Sequence, residues 1–380
     1  MIISRDIPLV SVIMPVFNAE EFVEQAIASI LAQSYKKLEF LIIDDGSKDS
    51  TVEKIIQFKD SRIRLLKNEK NLGIAASLNK GIIESKGKYI ARMDADDISL
   101  QDRIEKQFNF MEKNPQVGIL GTGYYEINKH GERKKAYIYP HDDMEIKWKL
   151  LTGPVFPHPT VMFRKDVLIA FNINYNINYS ATQDYELWSR LIHYTDGTNL
   201  PIPLLEYRHH YNSFSETNTI IQERLRFQVS AQSLTKLTKT RVVSARLAAM
   251  FEKVVNYNFD SLSLPELKKG CELFFHALDN FYHCTYNSNI SKTKWRMELL
   301  LDFFNHFEKY IRKNIVDNES KNNTPSIEFI QLRIIRKSLR CMLVFLKPEQ
   351  SIYYPPGIIV YSIQLMKRLL ISHDKAIIKY

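Results

Sequence analysis

From Leu9 to Met93 short apolar runs alternate with amphipathic stretches of helical length, and this alternation leaves few folds open to the chain. Leu9 to Val16 reads as a strand, and Glu20 to Ala32 then sets Phe22, Ala26, Ile27, Ile30 and Leu31 at helical spacing. Leu38 to Ile43 is a second strand closed by Asp44-Asp45-Gly46-Ser47, after which Asp49-Ser50-Thr51 opens a helix. Ile63 to Leu66, Ile74 to Glu84 and Lys88 to Met93 continue the series as strand, helix and strand. The pattern predicts an α/β fold, an open and mostly parallel sheet flanked by helices.

In open sheets of this kind ligands bind beyond the carboxyl ends of the strands. Polar residues gather there: Asn18 follows the first strand, Asp44 and Asp45 close the second, and Asp94, Asp96 and Asp97 follow the fourth. Carboxylates packed this closely repel one another and resist desolvation, so a hard divalent cation with oxygen ligands is the usual partner. A solvated turn that caps the next helix is the competing reading. The first strand leads into Pro15-Val16-Phe17-Asn18-Ala19-Glu20 where a dinucleotide fold needs Gly-x-Gly-x-x-Gly, and a phosphate-cradling glycine loop is also missing. Nucleotide phosphates would therefore be neutralised by a metal instead of backbone amides.

Several separate segments, in order, resemble the inverting glycosyltransferases of family 2, which use the GT-A fold. They are Val12-Ile13-Met14-Pro15-Val16-Phe17-Asn18, Ser29-Ile30-Leu31-Ala32-Gln33-Ser34, Asp44-Asp45-Gly46-Ser47, Asn71-Leu72-Gly73 with Asn79-Lys80-Gly81, and Asp94-Ala95-Asp96, which is similar to an Asp-x-Asp signature. The resemblance covers about residues 8 to 215. It implies transfer of one sugar from a UDP-sugar to a hydroxyl of a saccharide or polyprenyl-linked acceptor, in synthesis of a cell-surface polysaccharide such as capsule, O-antigen or exopolysaccharide.

Carried over by position, the resemblance implies that Pro15, Phe17 and Asp45 border the uracil, with Asn71 also on the donor side. Asp94 is expected beside the ribose and metal, and Asp96 as a ligand of Mg²⁺ or Mn²⁺. Asp97 reads equally well as the N-cap of a helix starting near Leu100 to Arg103. Gln183-Asp184 resembles the family's Glu-Asp at the catalytic base and departs from it only at the first position, which makes Asp184 the expected base. A carboxylate opening a helix can also be a simple cap. His158-Pro159-Thr160 resembles a segment beside the donor and acceptor pocket, although a histidine before proline is commonly a turn residue. Tyr207 to Ser215 is similar to the Tyr-Arg-x-His-x-x-Ser-x-Ser run that ends such domains, so His210 is a candidate metal ligand or diphosphate contact supported by Arg208; a surface loop is the alternative. Phe171 to Tyr179, rich in Asn and Tyr, is expected to lie over the pocket as a lid.

A chain of 380 residues is long enough for two domains, expected at 1–215 and 216–380. Residues 1–215 carry 27 Lys and Arg against 28 Asp and Glu, whereas 216–380 carry 25 against 15. The basic character of the second part suits an anionic surface, phospholipid or nucleic acid, or simply a solvated face. Leu267, Cys271, Phe274, Phe275 and Leu278, then Leu299, Leu300, Phe303, Phe304 and Phe307, recur at helical spacing and predict a helix-bundle core. Arg333, Arg336, Lys337 and Arg340 lie among Ile334, Ile335, Leu339 and Leu343, and Ile358 to Leu370 includes Lys367 and Arg368. With a lipid-linked acceptor in view, these basic amphipathic stretches predict peripheral attachment to the inner face of the cytoplasmic membrane, with no nucleic acid partner. Cys271, Cys284 and Cys341 are too few and scattered for a disulfide framework or zinc site, which points to the reducing cytosol. A processive synthase is disfavoured because Gln-x-x-Arg-Trp is missing after Asp184. A carbohydrate-binding or scaffold protein without catalysis remains the alternative of a different class, and it would not need Asp96 and Asp184 together.

Overall fold

The computed structural model describes residues 10–209, 219–239, 242–284 and 290–319. His210 and the basic segments at 333–343 and 358–370 lie outside these residues. The alternation of the N-terminal part appears as strands β1 (Val10–Val16), β2 (Leu38–Asp44), β3 (Ile63–Lys67) and β4 (Tyr89–Arg92) with helices α1 (Val23–Leu31), α2 (Thr51–Gln57) and α3 (Ile74–Glu84) between them. A two-residue strand β5 (Ile98–Ser99) and helix α4 (Arg103–Lys113) follow. Then come β6 (Val117–Ile127), β7 (Arg133–Tyr137), α5 (Asp143–Lys149), a 3-10 turn at His158–Thr160, β8 (Met162–Arg164), α6 (Lys165–Ala170), α7 (Gln183–Leu191) and β9 (Asp196–Arg208).

The strand order is β3-β2-β1-β4-β8-β6-β9-β5, with β7 paired to β6. The first four strands are mutually parallel, as β-α-β crossovers require. β8 then runs antiparallel to both β4 and β6, and β9 lies parallel to β6. The parallel half is legible in sequence because β1, β2 and β4 are buried along nearly their whole length and so read as mostly apolar runs. Val10, Val12, Met14 and Val16 pack with Val23, Ala26, Ile27 and Ile30 of α1 and with Ile104 and Met111 of α4. Ile13, Leu41 and Ile43 point the other way, against Ala75 and Leu78 of α3 and Tyr185, Leu187, Trp188 and Leu191 of α7.

Helix α3 sits close on the sheet because of one glycine. A Cβ at Gly81 would come within 2.5 Å of Ile13 Cγ2 and 3.0 Å of Ile43 Cδ1. The same helix begins at the carboxyl edge of the sheet, so its distance from β1 and β2 fixes where Asn71 to Gly73 lie.

By its contacts the chain divides into two units, Met1–Val229 and Ser230–Tyr380. The division falls inside helix α8 (Thr219–Thr238), beyond the change of composition at residue 215. In the second unit α9 (Ala245–Val255), α10 (Leu264–Cys284) and α11 (Ile290–Glu319) enclose an aromatic core. Phe274 stacks on Phe303 at 4.6 Å between centroids, and Phe259 meets Phe307 edge-on at 5.3 Å. Leu267, Cys271, Phe275, Leu278, Leu300 and Phe304 are buried around them, which is the bundle core that their spacing implies. No helix among the described residues is long and apolar enough to cross a membrane.

Replacing Gly81 by Ala gains about 1 kcal/mol of helix propensity but forces a methyl into Ile13, an overpacking cost of about 1–3 kcal/mol. The net expectation is a loss of up to about 2 kcal/mol, measured as a lower urea midpoint with an unchanged slope; a more stable variant would show that α3 can lift freely from the sheet.

Candidate active site

Every donor-side residue singled out in the sequence lies at the carboxyl edge of the four parallel strands. Pro15 still pairs in register with Ile43 near the end of β1, and Phe17, just beyond it, is 46% exposed. Asp45 follows β2 and is buried, its amide bound to Val16 O at 2.8 Å. Its carboxylate accepts from Asn68 Nδ2 (2.7 Å), Leu72 N (3.0 Å) and Gly73 N (2.9 Å). It thereby holds the start of α3, where Gly73 takes φ +89°. Asn71 is exposed, and its Oδ1 accepts from Gly73 N at 3.1 Å. Asn18, at φ 49°, accepts from Lys48 N through Oδ1 at 2.9 Å and ties the first loop to the second.

The carboxylates after β4 converge. One oxygen from each of Asp94, Asp96 and Asp97 falls within 4.8 Å of the others. Asp97 is not the cap of α4: Asp102 stands at that position, and Asp97 Oδ1 instead accepts Arg208 N at 2.8 Å. Its Oδ2 is buried and has no hydrogen-bond partner among the described residues. Burial, with Asp96 and Asp94 adding to it, holds the Asp97 carboxyl well above the usual carboxylate range. Asp94 is also raised, by burial and then by Asp96 and Asp184, against the pull of Arg92, whose Nη1 pairs with Asp94 Oδ2.

Asp184, far away in sequence, is in electrostatic reach of Asp94. It lies in the first turn of α7 behind Thr182, a residue in the left-handed region at φ 65°. Burial raises its carboxyl, opposed by the amides of Tyr185 and Asp184 and by the charge of Arg92. His158 lies in the 3-10 turn with Nε2 2.8 Å from Tyr175 Oη. Burial and the neighbouring Arg92 keep it well below the ordinary histidine range, so it is neutral at physiological pH. Tyr175, nearly fully buried, is in electrostatic reach of Arg92, Asp184 and Asp94. The 171–179 segment expected as a lid is pinned at Tyr175, whose backbone donates to Asn79 Oδ1 (2.9 Å) and accepts from Asn79 Nδ2 (2.8 Å).

Arg208 directs its guanidinium inward. Nε donates to Asp96 O, Nη1 to Asn128 O and Lys129 O, and Nη2 to Gln25 Oε1, while the group lies 4.6 Å from the Phe22 ring centroid. It therefore braces the carboxylate turn from behind.

Three further participants carry no motif. Arg92, Arg103 and Tyr175 are all buried at the site. Arg103 Nη2 donates to Arg92 O at 2.6 Å and its Nε to Gln107 Oε1 at 3.1 Å. Burial, then the neighbouring charge of Arg92, brings Arg103 down to about 9. The signal that could have exposed Arg92 and Arg103 is their position: cations inside apolar strand and helix faces next to a carboxylate cluster are seldom buried without a partner.

At neutral pH three carboxylates this close destabilise the fold wherever they ionise. A carboxyl whose folded pKa is raised favours the fold below its unfolded pKa, and that advantage is lost as pH rises through the folded value. Asp97→Asn keeps the oxygen that meets Arg208 N and removes the charge. It is expected to raise the midpoint of the cation-free protein by about 2 °C at pH 7, and by less at pH 4. A lower midpoint at pH 7 in a thermal scan would contradict the repulsion.

The family model for glycosyl transferase family 2 matches residues 11–171. The O-antigen biosynthesis glycosyltransferase WbnJ of Escherichia coli is 32% identical over 254 residues, covering 65% of this chain and 96% of that protein. WfgD of Escherichia coli, named UDP-Glc:alpha-D-GlcNAc-diphosphoundecaprenol beta-1,3-glucosyltransferase, is 34% identical over 185 residues, covering 48% of this chain and 70% of that one. Among solved structures, S. aureus TarS 1–349 in complex with UDP-GlcNAc superposes with a TM-score of 0.53 at 14% identity, over 72% of this chain and 81% of that chain. That last likeness concerns the fold, which is of the GT-A type. With its Asp-x-Asp turn at the carboxyl edge of the parallel strands and a relative matched over nearly its whole length, the chain is a glycosyltransferase and belongs to glycosyltransferase family 2.

Proposed function

We propose that this chain moves a single sugar from a UDP-sugar to a hydroxyl of a saccharide or polyprenyl-linked acceptor, with inversion, in the synthesis of a cell-surface polysaccharide. The observation that carries the reading is the convergence of Asp94, Asp96 and Asp97 in one turn, with Asp184, from a distant part of the sequence, in electrostatic reach of Asp94. WbnJ, by its name, works in O-antigen biosynthesis, and WfgD, by its name, uses UDP-glucose and a diphosphoundecaprenol-linked acceptor, which supports both donor and acceptor class.

The cluster suits Mg²⁺ or Mn²⁺: it offers hard oxygen donors, and Asp97 Oδ2 is a buried acceptor without a hydrogen-bond partner among the described residues. Asp96, with Asp94 or Asp97 beside it, would hold the ion. Once bound, such an ion would stabilise negative charge on the departing diphosphate. Pro15 and Phe17 border the base, while Asp45 shapes that side by fixing Leu72 and Gly73. Asp184 takes the proton of the acceptor hydroxyl as that oxygen forms its bond to the anomeric carbon and the bond to the UDP oxygen breaks on the opposite face. A carboxyl raised by burial is the stronger base for this step. His158, neutral and held by Tyr175, supplies a polar wall without a competing charge. The basic C-terminal segments support a peripheral position on the inner face of the cytoplasmic membrane, where a lipid-linked acceptor is found.

Asp96→Asn is expected to abolish metal-dependent UDP binding in calorimetry, whereas Asp184→Asn keeps it and loses about a thousandfold in transfer rate across a panel of UDP-sugars. Near-normal turnover by the second variant would remove Asp184 from the role of base. At saturating metal, the rate is expected to rise with pH through an apparent pKa above the usual carboxylate value, because Asp184 must be ionised to act. A flat profile from pH 4 to 8 would contradict that assignment.

A further inference from the structure

Strand β9 ends at Arg208, whose side chain is 2% exposed although it carries a full charge. Four of its five N–H donors are committed to protein acceptors on three separate segments. The Nε–H bond goes to Asp96 O at 2.8 Å, inside the carboxylate turn, and the Nη1 bonds go to Asn128 O (3.2 Å) and Lys129 O (2.9 Å), in the turn between β6 and β7. The Nη2 bond reaches Gln25 Oε1 on α1 at 2.8 Å. The residue's own amide donates to Asp97 Oδ1 at 2.8 Å. One residue thus grips the carboxylate turn twice, once through a backbone carbonyl and once through a side-chain oxygen.

We propose that Arg208 is a positioning residue for the cation site, holding Asp96 and Asp97 in their cation-ready arrangement before any cation arrives. The inference rests on reading the cluster as a cation site. It does not require Arg208 to touch the donor. A guanidinium suits the task because its rigid planar fork meets several carbonyls at fixed angles, while the opposite face lies over Phe22. Lysine offers a single flexible ammonium and cannot span the same three segments. Two bonds from Arg208 leave Asp97 Oδ2 as a buried oxygen without a hydrogen-bond partner among the described residues: the amide occupies Oδ1, and the guanidinium bond to Asp96 O sets the turn that separates the two carboxylates. Gln25 is exposed, so its bond to Arg208 can be removed without disturbing the core.

The full chain is titrated with Mn²⁺ alone, the free ion being followed by electron paramagnetic resonance, and then with UDP at saturating Mn²⁺. Arg208→Lys is expected to weaken Mn²⁺ about tenfold or more, while UDP affinity at saturating Mn²⁺ stays within about threefold of the parent chain. Gln25→Leu is expected to weaken Mn²⁺ about two- to fourfold, and it carries the test if the lysine variant does not fold. Mn²⁺ affinity equal to the parent in a folded Arg208→Lys chain overturns the proposal. So does UDP affinity that stays depressed at saturating Mn²⁺, because that result makes Arg208 a direct diphosphate contact. Failure of the unsubstituted chain to bind Mn²⁺ at all would remove the cation site itself, and with it the proposal, a result obtained before any substitution is made.

Discussion

The structure depends on keeping several carboxylates together at one rim of a sheet. Two unit charges 4 Å apart interact by about 4 kcal/mol at an effective dielectric of 20, a large share of a domain's whole stability. The chain offsets this from beneath with buried guanidinium groups. Arg92 pairs directly with Asp94, Arg103 binds the carbonyl of Arg92, and Arg208 binds the carbonyl of Asp96. Gln107 extends the support, donating to Leu120 O at 3.1 Å and Thr160 O at 2.8 Å. The carboxylate turn is therefore wired both to β6 and to the His158–Thr160 turn. Charge compensation and loop placement are one network.

The sheet divides that work between its halves. Parallel strands β3-β2-β1-β4 deliver Asp45, Asn71 and the carboxylate turn to one edge. Where the direction reverses at β8, the chain enters from the His158–Thr160 turn, so His158 arrives beside Arg92 rather than at the far side of the sheet. Trp188 backs this junction, meeting His158 at 5.7 Å and Phe163 at 5.4 Å between ring centroids. Asp184 opens the helix that carries Trp188, so the packing of one large aromatic locates the proposed base.

The parallel half and its polar edge were legible because local signals and tertiary burial agree there: β2 and β4 read as strands and are buried, β2 ends in Asp44, and Asp94, Asp96 and Asp97 follow β4. The fit is close for α3, whose expected and observed limits are both Ile74 to Glu84. Beyond the parallel strands β8 also reads as a strand, at Val161 to Arg164, but β6 and β9 were not legible. β6 is an 11-residue strand that includes Gly118, Gly121 and Gly123, and its partner β9 contains Pro201 and Pro203, none of which favours a strand. The glycines are explained by close approach, since a Cβ at Gly118 would lie 2.3 Å from Thr195 Oγ1 and one at Gly121 would lie 2.1 Å from Asn199 Oδ1. Register shifts between β6 and β9 around Thr122, Gly123 and Tyr125 absorb the prolines. Such information exists only once the strands are paired. The same holds for Tyr175, which sits in a segment without periodicity and becomes part of the site only through Asn79 and His158.

Asn18 and Thr182 both take positive φ, and the two cases differ in cost. Asn18 tolerates that conformation, and its side chain recovers a hydrogen bond to Lys48 N. Thr182 is β-branched and its hydroxyl is buried without a hydrogen-bond partner among the described residues, so it bears a conformational penalty of about 1–3 kcal/mol with no local compensation. What holds it there is α7, anchored by Tyr185, Leu187, Trp188 and Leu191, all nearly solvent-free. If Thr182 relaxed to a negative φ, the chain entering α7 would change direction just before Asp184 in the first turn. The apolar face of α7 thus sustains the strain at Thr182, at the entry to the helix whose first turn carries Asp184.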